Sequence, residues 1–172
     1  VVMALGTGRT LRAAVRSLPP IECPQHRIVS LTGNISATGA TAHYNVLFSI
    51  GERVTAPTFP IPMPVVAGTT EERAMVAAQP MIRRALDLAR QADVVFVGVG
   101  EMGDAAPLLL DGFISPAELD ALRSAGATGE IVGWAFDDGG RLIAGLTNDR
   151  VASAPLAFAG SALVVAAAMG PA

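Results

Sequence analysis

The stretch V-V-M-A-L-G-T-G-R-T-L, residues 1–11, sets an apolar run against a glycine turn and the start of a helix. Val1 to Leu5 holds no polar residue and predicts a buried strand. Arg9 to Leu18 then places Leu11, Ala14, Val15 and Leu18 on one helical face. A strand, a tight glycine turn and a helix start gather free backbone N–H groups at one spot. The positive end of the helix dipole adds to them, and such a corner suits a phosphate. Gly6, Thr7, Gly8, Arg9 and Thr10 form it: Thr7 and Thr10 bring hydroxyl donors, and Arg9 brings a charged fork for an anion. Glycine-bearing strand-to-helix turns are common in α/β domains, so the loop alone also fits an ordinary tight turn. It lacks the glycine spacing and Lys of a nucleotide P-loop, and no G-x-G-x-x-G fingerprint is present.

Composition narrows the class. The 172 residues suffice for one domain with a real core. Hydrophobic residues make up 51% and charged residues 16%, which predicts strands covered on both faces, hence a parallel α/β sheet. A net charge of -3 offers no electrostatic footprint for nucleic acid within this segment. All 12 basic residues are Arg, so this segment supplies neither a Lys Schiff base nor a Lys phosphate clamp. Cys23 stands alone, which removes a disulfide framework and a thiol metal cluster, and His26 and His43 alone are a poor zinc set. The expectation is therefore no metal and no cofactor, in a reducing, cytoplasmic setting. The uncharged tail, Ala154 to Ala172, is broken by Pro155, Gly160, Gly170 and Pro171. It makes a poor membrane span, and Ser161 to Ala168 reads as a buried strand. With no initiator Met and strands at both ends, the chain is expected to be a fragment of something longer.

Taken in order, Leu18-Pro19-Pro20 stops the first helix, and His26 to Leu31 is a strand ending in the polar turn Thr32-Gly33-Asn34. Ala42 to Arg53 is helix-like, with Val46, Leu47 and Ile50 as its apolar face. The four prolines of Pro57 to Pro64 allow only an extended edge strand or a polyproline segment. Thr69 and Glu72 have capping-box spacing for a helix to about Ala78. Pro80 opens the next, with Ile82, Ala85, Leu86 and Ala89 as its core stripe. Val94 to Val97 is a central strand, and it runs into a third glycine turn with two carboxylates, Gly98-Val99-Gly100-Glu101-Met102-Gly103-Asp104. Ser115-Pro116-Ala117-Glu118 starts a helix that Gly126 stops. Glu130 to Phe136 and Arg141 to Leu146 read as two strands joined by Asp137-Asp138-Gly139-Gly140. The alternation predicts a single doubly wound domain, with three glycine turns converging beyond the strands' carboxyl ends.

These pieces, in this order, resemble one family. The motifs are G-x-G-R-T-L, S-L-T-G-N, F-P-I-P-M-P-V-V-A-G-T-x-E-E-R and V-G-V-G-E-M-G-D-A-A-P-L-L, followed by G-F-I-S-P-A-E-L-D-A-L-R-S-A-G-A-T-G-E-I-V-G-W-A-F-D-D-G-G and L-T-N-D-R-V. Together they look like the effector-binding domain of SorC/DeoR-type sugar-responsive transcription regulators, over essentially residues 1–172. The resemblance implies a mostly parallel sheet with helices on both faces, related to ribose-5-phosphate isomerase and glucosamine-6-phosphate deaminase. It also implies a sugar phosphate that controls DNA binding by an attached helix-turn-helix domain, absent here, and assembly as a homodimer or homotetramer. Carried over by position, Gly6, Thr7, Gly8, Arg9 and Thr10 hold the phosphate, and Thr32 and Gly33 form the second ligand loop. Gly98, Gly100 and Glu101 form the third; Glu130 meets sugar hydroxyls, and Tyr44 and Asn45 lie near a polar contact. The family's Lys-bearing end is missing, and Ala152 to Ser161 looks shortened.

Two functions share such a fold. A sensor needs an anion cradle, carboxylates for hydroxyls and a coupled interface. An isomerase or deaminase needs a tuned base beside C1 or C2 of the sugar. Glu101, Asp104 and Glu130 could serve, but no His stands beside the carboxylates of the loop after Val97, which favours the sensor. Asp137 and Asp138 read as turn carboxylates, Asp149 with Arg150 as a structural ion pair, and Met63, Met75, Met81 and Met102 as core fillers.

Overall fold

The computed structural model describes residues 1–36, 38–41, 46–157 and 162–168. Its first half runs β1 (Val2–Leu5), α1 (Arg9–Arg16), β2 (Ile21–Glu22), β3 (Arg27–Ile35), α2 (Val46–Gly51), β4 (Val54–Thr55) and β5 (Thr58–Pro64). There follow α3 (Thr70–Ala77), α4 (Pro80–Arg90), β6 (Val94–Gly98), β7 (Gly100–Glu101), α5 (Pro107–Leu110) and α6 (Pro116–Ser124). The chain continues through β8 (Gly129–Ile131), β9 (Trp134–Phe136), a 3-10 turn (Leu146–Arg150) and β10 (Leu163–Ala167).

Five strands form a parallel sheet in the order β10-β6-β1-β3-β5. The period-two alternation of β1 divides the core. Val2 and Ala4 join Val29, Val95 and the stripe Ile82, Ala85, Leu86 and Ala89 of α4. Leu5 joins Leu11 and Val15 of α1 and Val46, Leu47 and Ile50 of α2 on the other face. Both faces are thus helix-covered around β1, as the doubly wound reading requires. The proline-rich β5 lies at the sheet edge, where the missing N–H groups cost no ladder bond. Thr69 accepts the Glu72 N–H at 3.0 Å, and Ser115 and Glu118 form a complete capping box.

A second core, with Val65, Phe113, Leu119, Leu122, Ala135 and Val151, sits under the antiparallel sheet β7-β8-β9. Asn148 ties it together. Its Oδ1 accepts the Ala135 N–H at 2.9 Å, and its Nδ2 donates to the Ala135 and Ile143 carbonyls at 2.8 Å. Asn148→Ala strands the Ala135 N–H and the Ile143 carbonyl, while the Ala135 carbonyl keeps the Ile143 N–H at 3.0 Å, and is expected to cost roughly 2 kcal/mol or more, read as a lower urea midpoint.

Several expectations are corrected. Glu130 to Phe136 is a hairpin, because Val132 (φ 46) and Gly133 (φ 93) make a two-residue turn inside it. Arg141 to Leu146 forms no strand, only a bridge between Leu142 and Phe136; the 137–140 turn is real, held by Asp137 accepting from Gly139 and Arg141. Thr32-Gly33-Asn34 is no turn, since β3 runs on through Ile35 beside β5. β10 is a strand but not a buried one: it is the sheet's other edge, with Leu163 and Val164 62% and 48% exposed. Arg150 pairs with Glu118 rather than Asp149, and Met75 and Met81 are exposed. The helix expected over 42–53 is described only from Val46, as α2.

Candidate functional site

The strand order reverses at β1. The chain steps outward through β3 and β5, then returns to the other flank of β1 with β6 and β10. The segments leaving β1 and β6 both border one crevice at this point, the usual ligand position in an open parallel sheet. A cavity of about 510 Å³ lies there.

One wall is the start of α1: Thr7, Gly8, Arg9, Thr10 and Leu11 all line the cavity. Gly8 is the N-cap at φ 126 and brings no side-chain cap of its own, and only glycine holds that backbone without strain. The dipole end of α1 therefore faces the cavity uncapped by any side chain of Gly8. Gly6 is closed off: its N–H donates to the Phe96 carbonyl at 2.7 Å, and a Cβ there would meet Val132 Cγ1 at 3.1 Å. Gly6 shapes the corner rather than offering a donor to it.

Thr32 reaches the cavity from β3, buried, with its Oγ1 accepting from Ser153 Oγ at 2.7 Å. Gly33 does not line the cavity. A Cβ on it would stand 2.0 Å from the Met63 carbonyl oxygen, so it is glycine because two backbones touch. Gly98, Val99, Gly100 and Glu101 form the β6 side, with Gly98 backed closely by the Thr7 carbonyl. Tyr44 and Asn45 lie outside the described residues.

Glu130 completes the set. The antiparallel pairing of β7 with β8 sets it opposite Gly100. A Cβ on Gly100 would stand 2.1 Å from Glu130 Oε1, so the glycine makes room for the carboxyl. Oε2 accepts the Gly133 N–H at 2.8 Å, which anchors the side chain to its own hairpin turn. Burial, opposed by that hydrogen bond and reinforced by the charge of Asp111, pushes its pKa up to about 7.

Asp111, Phe113, Val132 and Gly133 also line the cavity and were not foreseen. Val132-Gly133 carries a legible signal, a two-residue turn dipeptide with glycine second inside an apolar alternation. Asp111-Gly112 reads as a plain turn, and only the packing of α5 brings its carboxylate in. Among the described residues no group of three or more His, Cys, Asp and Glu could hold a metal ion, and no helix is long and apolar enough to cross a membrane.

An α/β domain with an anion-ready corner and a buried acid on one crevice defines a small-molecule binding domain. The family model described as "Putative sugar-binding domain" matches residues 1–172, and the chain belongs to this SorC/DeoR family of sugar-binding transcriptional-regulator domains. The chain is 30% identical over 169 residues to the erythritol catabolism regulatory protein EryD of Brucella abortus, covering 98% of this chain and 54% of that protein. It is 25% identical over 151 residues to the deoxyribonucleoside regulator of Bacillus subtilis, covering 87% and 48%. Among solved structures it resembles a DeoR family transcriptional regulator from Listeria monocytogenes, with a TM-score of 0.85 at 19% identity, over 98% of this chain and 67% of that one. It also resembles the full-length sorbitol operon regulator of Klebsiella pneumoniae, with a TM-score of 0.77 at 20% identity, over 91% and 51%. The chain spans about half the length of the curated relatives it matches. These relatives are regulators, and the chain is a sugar-binding effector domain of the SorC/DeoR type, which supports a non-enzymatic role over the isomerase or deaminase reading.

Proposed function

We propose that the cavity binds a phosphorylated sugar or polyol, and that occupancy controls DNA binding by a helix-turn-helix domain attached to this one in the full-length protein. Residues 1–172 are, on this reading, part of the effector domain, and the protein works in the cytoplasm as a homodimer or homotetramer. The observation that carries it is the meeting, at one crevice, of a glycine-capped helix start with Arg9, Thr7 and Thr10 and of a buried carboxyl that can bond hydroxyls. The phosphate takes the α1 end through Thr7, Gly8, Arg9 and Thr10. Thr32, Gly98, Gly100, Glu101 and Glu130 face the carbon chain, with Gly6 and Gly33 holding the walls together.

A thermal-shift panel on the full-length protein tests this, with erythritol 4-phosphate, ribose 5-phosphate, 2-deoxyribose 5-phosphate and glucosamine 6-phosphate beside unphosphorylated erythritol and ribose. A phosphorylated member should raise Tm without being consumed, and its parent sugar should not. Arg9→Ala and Thr10→Ala should each weaken that binding roughly tenfold, the worth of a charge-assisted hydrogen bond. Equal affinity in both variants removes the phosphate from this corner.

A further inference from the structure

Resting on the phosphosugar reading, the cavity holds one more arrangement. Its ionisable lining, among the described residues, is Arg9 on α1, Glu101 on β7, Asp111 after α5 and Glu130 on β8. Three carboxyl groups against one guanidinium is an odd lining for a site that admits a dianion. Glu101 is exposed and can stay solvated, whereas Glu130 is 8% exposed. Glu130 also cannot swing out easily: Gly133 N–H holds Oε2, and Oε1 lies over the bare Cα of Gly100. The charge that acts on it is that of Asp111, of like sign.

A ligand filling this cavity removes the remaining water from Glu130 and adds a second negative charge nearby. Both effects favour the protonated acid. We propose that Asp111 and Glu130 work as an acid–carboxylate pair in which Glu130 takes up a proton as the phosphorylated ligand binds, donating to one ligand oxygen while Asp111 accepts from a neighbouring hydroxyl. The pair then selects for adjacent oxygens, one accepting and one donating, as in a vicinal diol. It also makes effector capture proton-linked: affinity rises as pH falls toward neutrality from above. With the free acid titrating near 7, much of its population is ionised at mildly alkaline pH, so the uptake is measurable there.

The test is calorimetric titration of the full-length protein with erythritol 4-phosphate, ribose 5-phosphate and glucosamine 6-phosphate. Two buffers of different ionisation enthalpy are used at about pH 7.5, where a phosphate monoester (second pKa about 6) is nearly all dianion. The wild type should take up on the order of half a proton per ligand bound. Glu130→Gln should take up none. A binder whose proton count is the same in wild type and Glu130→Gln overturns the inference and leaves the phosphosugar reading standing. If none of the three compounds binds at millimolar concentration, both fall. If Glu130→Gln does not fold, the carboxyl carbon resonance of Glu130 in the wild type decides: it must move toward the protonated position on ligand addition, and the opposite movement overturns the inference.

Discussion

Gly33→Ala is expected to leave the domain unfolded under conditions in which the wild type is folded. The added methyl would stand 2.0 Å from the Met63 carbonyl oxygen and 2.8 Å from the Pro64 carbonyl oxygen. Neither is the end of a flexible side chain, so relief demands that β3 and β5 part along their register at Gly33 and Ile61. Met63 and Ile61 are each 1% exposed, and moving them opens the main core. The penalty should exceed about 4 kcal/mol, the range of severe core disruptions. Circular dichroism and soluble yield read it. Gly51→Ala is the control, because its nearest neighbour is a Thr58 methyl at 3.9 Å and its fold should be untouched.

The second large effect has the opposite sign. Glu130→Gln should stabilise the unliganded protein at alkaline pH. The carboxyl titrates near 7 in the fold against an ordinary 4.5 in the unfolded chain. Below about pH 4.5 both states hold the proton and the residue costs nothing on this account. As pH rises toward 7 the unfolded chain has shed a proton that the folded state keeps, so stability falls. Above 7 the penalty is complete, of order 3 kcal/mol. Gln carries no proton to lose, and its amide oxygen can accept the Gly133 N–H in the same place. Urea unfolding should put the variant ahead by roughly 2–3 kcal/mol near pH 8, with the gap closing toward pH 5. A gap that does not change with pH would mean that the carboxyl is already solvated.

The elements set by local chemistry were readable from residues alone. Periodicity in α4 marked all four buried positions, Ile82, Ala85, Leu86 and Ala89, and caps at Thr69 and Ser115 marked two helix starts. Four prolines placed β5 at an edge. What failed depended on partners distant in sequence. Gly33 looked like a turn residue because nothing nearby in the chain announces the Met63 carbonyl pressed against it. The apolar run at 163–167 looked buried, but burial belongs to the neighbours of β10, not to its composition. In the site, the α1 corner was legible as strand, glycine, helix. Asp111 was not, since its place depends on how the second core seats α5.

The turn at Val132 joins matters that the site otherwise keeps apart. A β-branched residue at φ 46 is held against its preference, at a cost of order 1–3 kcal/mol, and its methyl abuts the bend at Gly6. Gly133, its neighbour in the same turn, is the group that grips Glu130. Tension in this wound loop therefore bears on the anion corner and on the acid at once. On the proposed reading, a ligand that displaced this turn from one side would displace it on the other, which ties the two proposed contacts together.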